Sequence, residues 1–284
     1  MAEEVSDGQP VRLWIGPPGP AALTLLTRLL EVSTFVLVAI WTSSYLGGLG
    51  VSPTWTSTTV NDTNRVFNWH PLLMALAFPV FMAEALLAYR VPVVPSLERP
   101  QRKVLHGCLH AAALLCMVFA IIAAFQSHNL KEPKAIPNLY SAHSFMGMFT
   151  FVTSILQFLL GLYVFAWPKL AIKQRQAIAP LHTFLGKAVF VAGLATMAAG
   201  IQEKTTFLQM GKKLTGEALF GAEMRIPAAL QLLLIFTGLL VLFHHQPPAA
   251  NTTPRRPVRE GDGSFLDDDS SAASSPGGRD EFDV

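Results

Sequence analysis

Charged residues are scarce in this chain: Asp, Glu, Lys and Arg make up 14% of its 284 residues, while 51% are hydrophobic. That balance excludes a disordered chain and argues against a soluble globular domain. The formal net charge of +2 singles out no partner, and nothing in the chain points to nucleic acid.

Cysteine is nearly absent as well. Cys108 and Cys116 stand eight residues apart on one apolar stretch, a separation on a single helix far too great for a disulfide. They read as small apolar fillers. Neither belongs to a Cys-x-x-Cys-His sequence, which excludes a covalently attached c-type haem. A secretory signal is also missing. Residues 1–7 are acidic rather than basic, and Pro17, Pro18 and Pro20 precede the first apolar run. Membrane insertion then rests on the helices themselves.

What the chain has in abundance is long apolar segments. Six of them, at about 29–46, 69–89, 104–125, 141–166, 179–201 and 226–243, are long enough to span a bilayer. The fold expected is an all-α membrane protein. The first span is the least clean, because Arg28 and Glu31 lie at its start, three residues apart and able to pair on one helix face. Residues 1–28 read as a cytoplasmic segment, 29–243 as the transmembrane domain and 244–284 as a disordered cytoplasmic tail of Pro, Asp, Ser and Gly.

Orientation rests on basic residues. Arg90, Arg99, Arg102, Lys103, Lys169, Lys173 and Arg175 lie on one side. Arg65, Lys131, Lys134, Lys204, Lys212, Lys213 and Arg225 match them on the other. Arg12, Arg255, Arg256 and Arg259 break the tie and place the termini in the cytoplasm. Asn61-Asp62-Thr63, a glycosylation acceptor pattern, would then face outward, although Asn251-Thr252-Thr253 repeats the pattern in the tail.

Four histidines, His70, His106, His143 and His182, each stand near the head of a successive apolar segment. Adjacent membrane helices run in opposite directions, so His70 and His143 share one face of the bilayer, and His106 and His182 the other. Ionisable groups at such depths are costly and usually functional. Two histidine pairs stacked across a bilayer suit two haems that pass electrons across it. Zinc would want three or four ligands converging on one point, and these split two and two. Gly147 and Gly186 follow His143 and His182 by one turn, where a missing side chain would make room for a flat macrocycle. His110 lies one turn beyond His106, and depth favours His106. His244 and His245, at the end of the last segment, are expected to face water.

Several short motifs support this pattern. They are Phe67-Asn68-Trp69-His70-Pro71, Lys103-Val104-Leu105-His106, His128-Asn129, Asn138-Leu139-Tyr140-Ser141-Ala142-His143-Ser144, Pro180-Leu181-His182 and Glu203-Lys204. In this order, over roughly residues 67–207, the chain resembles the cytochrome b-561 family of transmembrane ascorbate-dependent oxidoreductases. The resemblance implies six helices whose central four form a bundle holding two b-type haems per chain, typically in a homodimer. It implies that His70 and His143 ligate the non-cytoplasmic haem, and that His106 and His182, rather than His110, ligate the cytoplasmic one.

It also implies a cytoplasmic ascorbate site at Lys103 and Arg175. The alternative for such residues is headgroup anchoring, which applies equally to Arg99 and Arg102. On the far side it implies a second substrate region at Phe125, His128, Asn129 and Tyr140, facing a ferric chelate or monodehydroascorbate. Lys187 departs from the family pattern; it either snorkels or pairs with a propionate. Glu84, in the second span, has no assignable partner. With two axial histidines the iron has no open position, which favours outer-sphere electron transfer over dioxygen activation. Ferric reduction at a plasma membrane and ascorbate regeneration in a vacuole, lysosome or vesicle are not separated by the sequence. The rival from another class is a histidine-lined metal-ion transporter without haem. Such a path would string histidines and carboxylates through mid-bilayer, whereas these histidines sit near the faces.

Overall fold

The computed structural model describes residues 21–245. Among them, six helices are long and apolar enough to cross a membrane: α1 Ala21–Tyr45, α2 Asn64–Leu87, α3 Arg99–Asn129, α4 Ala142–Ala166, α5 Ile172–Lys212 and α6 Gly216–Phe243. The protein is an all-α, multi-pass membrane protein. α1 begins at Ala21 rather than at 29, so Arg28 lies within it and not ahead of it. Residues 1–20, the tail beyond His245 and the Asn251 acceptor pattern lie outside the described residues.

Local sequence explains where the helices begin and bend. Glu98 and Gln101 form a reciprocal capping box that opens α3, with Pro100 in the first turn, where no N–H is needed. Ser141 caps α4, its hydroxyl accepting the Ser144 N–H at 3.2 Å. Pro79 has no N–H to give inside α2, and the backbone there widens into a π-helical turn over Ala77–Met82. α5 stops at Lys213, which turns left-handed with φ 51°.

α2 packs along α3, α4 along α5, and α1 along α6. Trp41, Phe78, Met117, Phe190 and Leu194 fill the centre. Large apolar side chains such as Phe145, Phe149, Leu156 and Phe184 point outward, as expected where the surrounding solvent is hydrocarbon.

Between α1 and α2 lies a small hairpin, β1 Thr54–Trp55 paired with β2 Asn61–Asp62. It overturns the glycosylation reading of Asn61, which is 2% exposed. Its Nδ2 donates to the Leu130 carbonyl at 2.8 Å, and its Oδ1 accepts the Glu132 N–H at 2.9 Å. The amide that would carry a sugar is consumed in fastening the hairpin to the end of α3. The pattern therefore lends the topology no support.

Phe78 of α2 lies against Gly193 of α5, where an added Cβ would overlap its ring. Gly193→Ala is expected to cost about 1–3 kcal/mol through overpacking, read as a lower Tm of the detergent-solubilised protein. An unchanged Tm would mean that Phe78 does not occupy this gap.

Candidate functional site

The bundle brings the four histidines together in two facing pairs. The rings of His70, on α2, and His143, on α4, have centroids 5.9 Å apart and planes 86° apart. Those of His106, on α3, and His182, on α5, are 6.3 Å apart at 66°. A metal ion held at about 2 Å by one nitrogen of each ring would separate the centroids by roughly 6 Å. α3 and α5 start well before their histidines, at Arg99 and Ile172. Their polar first turns carry these helices past the apolar segment, so His106 and His182 lie deeper along the helix than the apolar runs suggested.

Hydrogen bonds between helices set the ring orientation. Nδ1 of His70 faces the Ala120 carbonyl at 3.1 Å, Nδ1 of His106 the Ala85 carbonyl at 2.8 Å, and Nδ1 of His143 the Thr196 carbonyl at 2.9 Å. A carbonyl only accepts, so in each case Nδ1 carries the proton and Nε2 keeps its lone pair. A carbonyl behind Nδ1 fixes the tautomer and ring direction and so prepares each histidine for ligation through Nε2. His182 is held by a side chain instead. The amide nitrogen of Gln157, on α4, lies 3.0 Å from its Nδ1 and donates to its carbonyl at 2.6 Å.

Two glycines crowd the imidazole rings from neighbouring helices. A Cβ on Gly200 would lie 2.6 Å from Cε1 of His143, and one on Gly161 would lie 2.9 Å from Cε1 of His182. Gly147 meets Thr196 at 3.6 Å and lines a cavity with His70 and His143, and Gly186 meets Gln157 at 3.3 Å. Gly161 and Gly200 belong to other helices than the rings they touch, and no local signal marks them. His110 packs edge-on against His106, centroids 4.5 Å apart.

His70 and His143 line an apolar cavity with Phe78, Met117 and Phe151. Phe125, His128, Tyr140, Glu203 and Lys204 line the same cavity. His128 Nδ1 lies 3.1 Å from Asn138 Oδ1, and Asn138 in turn donates to Asn129 Oδ1 at 2.9 Å. Asn129 thus reaches the site through Asn138, whose function the sequence reading did not recognise. Leu139, between Asn138 and Tyr140, is left-handed, φ 55°, a backbone state that non-glycine residues avoid unless neighbours hold it. Burial and the Glu203 carboxylate push the Tyr140 phenol up from its ordinary value, keeping it a neutral donor. Lys204 donates to Asn64 Oδ1 at 3.0 Å and stands 4.8 Å over the Phe67 ring.

At the other end of the bundle, the positive charges of Lys169 and Arg175 both act on Lys103. Tyr89 stacks beside His106 at 5.5 Å, and burial pushes its phenol up to about 12.

Three further expectations are corrected. Glu84 has a partner: Arg28 of α1 donates to it at 2.7 Å, so Arg28 pairs with Glu84 and not with Glu31. His244 is 7% exposed, and its Nε2 lies 3.3 Å from the Thr27 hydroxyl. His245 sets its nitrogens against the carbonyls of Val241 and Leu86 at 2.9 and 3.0 Å. Neither histidine faces water, because the end of α6 packs back on α1 and α2. Lys187 lies near His245.

Six spanning helices with two facing histidine pairs among the central four define a multi-pass membrane protein with paired-histidine sites in its bundle core. Comparison with known proteins narrows this class. The profile of eukaryotic cytochrome b561 matches residues 69–208, a span that holds all four paired histidines. Transmembrane ascorbate ferrireductase 1 of Arabidopsis thaliana is 36% identical, over 67% of this chain and 74% of its own length. Probable ascorbate-specific transmembrane electron transporter 2 of Oryza sativa subsp. japonica is 34% identical over 78% and 84%. Lysosomal membrane ascorbate-dependent ferrireductase CYB561A3 of Mus musculus is 34% identical over 73% and 81%. The chain belongs to the eukaryotic cytochrome b561 family.

The Asn138 contact makes a direct prediction. With Asn138 in place, the ring of His128 is expected to keep a proton on Nδ1, the nitrogen that faces the Asn138 oxygen. In Asn138→Ala the two tautomers are expected to mix, read from the ring 15N chemical shifts. Identical shifts in variant and wild type would mean that Asn138 does not set the tautomer.

Proposed function

We propose that this chain is a transmembrane, ascorbate-dependent oxidoreductase that moves electrons from cytoplasmic ascorbate to an acceptor on the far side, with two b-type haems per chain. His70 and His143 hold one haem, and His106 and His182 hold the other. The observation that carries this reading is the pair of imidazole separations, 5.9 and 6.3 Å, each the right width for one iron atom. The Nδ1 bonds that leave Nε2 unprotonated on His70, His106 and His143 support it, as does the apolar cavity with polar residues at its edge. Relatives named for ascorbate-dependent ferric reduction and electron transport support it independently. Among the described residues, no group of three or more His, Cys, Asp and Glu is arranged to hold a metal ion, the arrangement a zinc site needs.

When bound, haem supplies the one-electron chemistry; the residues supply ligation, orientation and substrate binding. Lys103 and Arg175, with Lys169 beside them, present positive charge to ascorbate, an anion at neutral pH. On the far side Asn138 turns His128 so that its Nε2 is free to meet a ferric chelate or monodehydroascorbate. Phe125, Tyr140 and Asn129 shape that region. This topology puts both termini in the cytoplasm. The protein functions as a homodimer in a plasma membrane or an endomembrane; relatives carry names from both settings, a lysosomal membrane in Mus musculus and a plasma membrane in Xenopus laevis.

The reading is tested by a reduced-minus-oxidised visible spectrum of the purified protein with haem stoichiometry. His70→Ala or His143→Ala is expected to remove one haem, and His106→Ala or His182→Ala the other. Two low-spin haems retained in all four variants would sink the assignment.

Lys103→Ala combined with Arg175→Ala is expected to weaken reduction by cytoplasmic ascorbate on the order of tenfold, through lost charge-assisted contacts. Haem content should not change, and the rate should become less sensitive to salt. Unchanged ascorbate kinetics would leave both residues as headgroup anchors.

A further inference from the structure

α1 carries polar side chains that the paired-histidine sites do not use. Arg28 grips Glu84 of α2 with both arms: Nε donates to Oε1 at 2.7 Å and Nη2 to Oε2 at 3.3 Å. The same Nη2 donates to the Val91 carbonyl at 2.7 Å. A second carboxyl, Glu31, lies about a turn deeper along α1, beside both Glu84 and Arg28. Glu31 is 2% exposed and Glu84 9%. Among the described residues, no donor reaches Oε1 of Glu31.

The charges here do not balance. Among the described residues, two carboxyls face one guanidinium, and that guanidinium is committed to Glu84 and to a backbone carbonyl. The other helix packed on α1 adds no second cation beside Glu31. From α6, His244 faces Thr27 and Arg28, and His245 is turned to two carbonyls with Arg90 and Lys187 nearby. If both acids ionised, a net negative charge would stand inside the apolar bundle, where an unpaired charge is costly. Two oxygen acceptors without a hydrogen between them would also repel. One hydrogen resolves both difficulties.

We infer that Glu31 and Glu84 form a proton-binding site in which one proton is shared between the two carboxyls. Glu31 donates its O–H to Glu84, and Arg28 neutralises the single negative charge that remains. The ligand is the proton itself. Its route to water runs along the Arg28 side chain, which is 28% exposed, at the end of the bundle where α2 leads to α3. The site therefore exchanges with the face that carries Lys103 and Arg175. Glu84 adjoins Ala85, whose carbonyl faces His106 Nδ1, but the acids do not touch the paired imidazoles' ligating nitrogens, and the test does not depend on electron transfer.

The experiment is infrared spectroscopy of the full-length protein at neutral pH, in H2O and D2O, comparing wild type with Glu31→Gln and Glu84→Gln. Wild type is expected to show the carbonyl stretch of a protonated carboxylic acid, shifted by deuterium, and both substitutions are expected to remove it. Glu31→Gln deletes the acid. Glu84→Gln releases Arg28 to Glu31, which then ionises as its ion-pair partner. A band that survives Glu84→Gln would mean a solitary buried acid, and a band unaffected by Glu31→Gln would mean that Glu31 is ionised; either result overturns the proposal. Wild type labelled with 13C-carboxyl glutamate needs no variant to fold. The band is expected to move with the label, and a labelled protein with no protonated glutamate band also overturns the proposal.

Discussion

A polar group buried in hydrocarbon finds no water, so each one must be satisfied within the bundle. That constraint shapes the paired-histidine sites. The Nδ1 proton of His70 goes to α3, that of His106 goes back to α2, and that of His143 goes to α5. Each bond satisfies a buried donor, ties two helices together and leaves the opposite nitrogen bare. The close glycine approaches and the widened turn at Pro79 make sense around these bonds. Gly161 and Gly200 let a ring lie against a neighbouring helix, and Gly193 lets Phe78 enter between α2 and α5.

α1 and α6 meet the same constraint by other means. Arg28 clamps α1 to the end of α2 through Glu84, and the Trp41 ring N–H donates to the Glu223 carbonyl of α6 at 3.1 Å. Gln231 of α6 donates to the Ala198 carbonyl of α5 at 2.9 Å. The family profile matches residues 69–208 and so takes in the four helices of the paired histidines but not α1 or α6. The shared proton proposed for Glu31 and Glu84 straddles that boundary, with one acid on α1 and the other on α2.

The two ends of the bundle are built for different chemistry. On the His70 and His143 side, Asn129, Asn138 and His128 form a continuous hydrogen-bonded chain, followed by the left-handed Leu139 and the neutral Tyr140 phenol. On the other side, Lys103, Lys169 and Arg175 gather positive charge, and Tyr89 packs on His106. A rigid network of neutral groups suits orientation of an incoming partner. A cluster of cations suits capture of an anion.

Much of this was legible in the sequence because hydropathy and spacing are properties of consecutive residues. The six spans, the helix breaks around them and the candidate histidines could be found by counting along the chain. The motifs around those histidines pointed to the family for the same reason. Contacts set by how each helix is rotated about its axis were not legible. Arg28 could have paired with Glu31, three residues away, yet it pairs with Glu84. Gly161 and Gly200, which crowd the rings from neighbouring helices, carry no signal in the sequence. His244 and His245 were expected in water, and Asn61 stands in an acceptor pattern for a sugar, yet all three are held by protein groups. In a soluble helix an apolar stripe reveals the buried face. In lipid the outward face is as apolar as the inward one, so the pattern carries little information about rotation, and only the packed bundle decides which side chains meet.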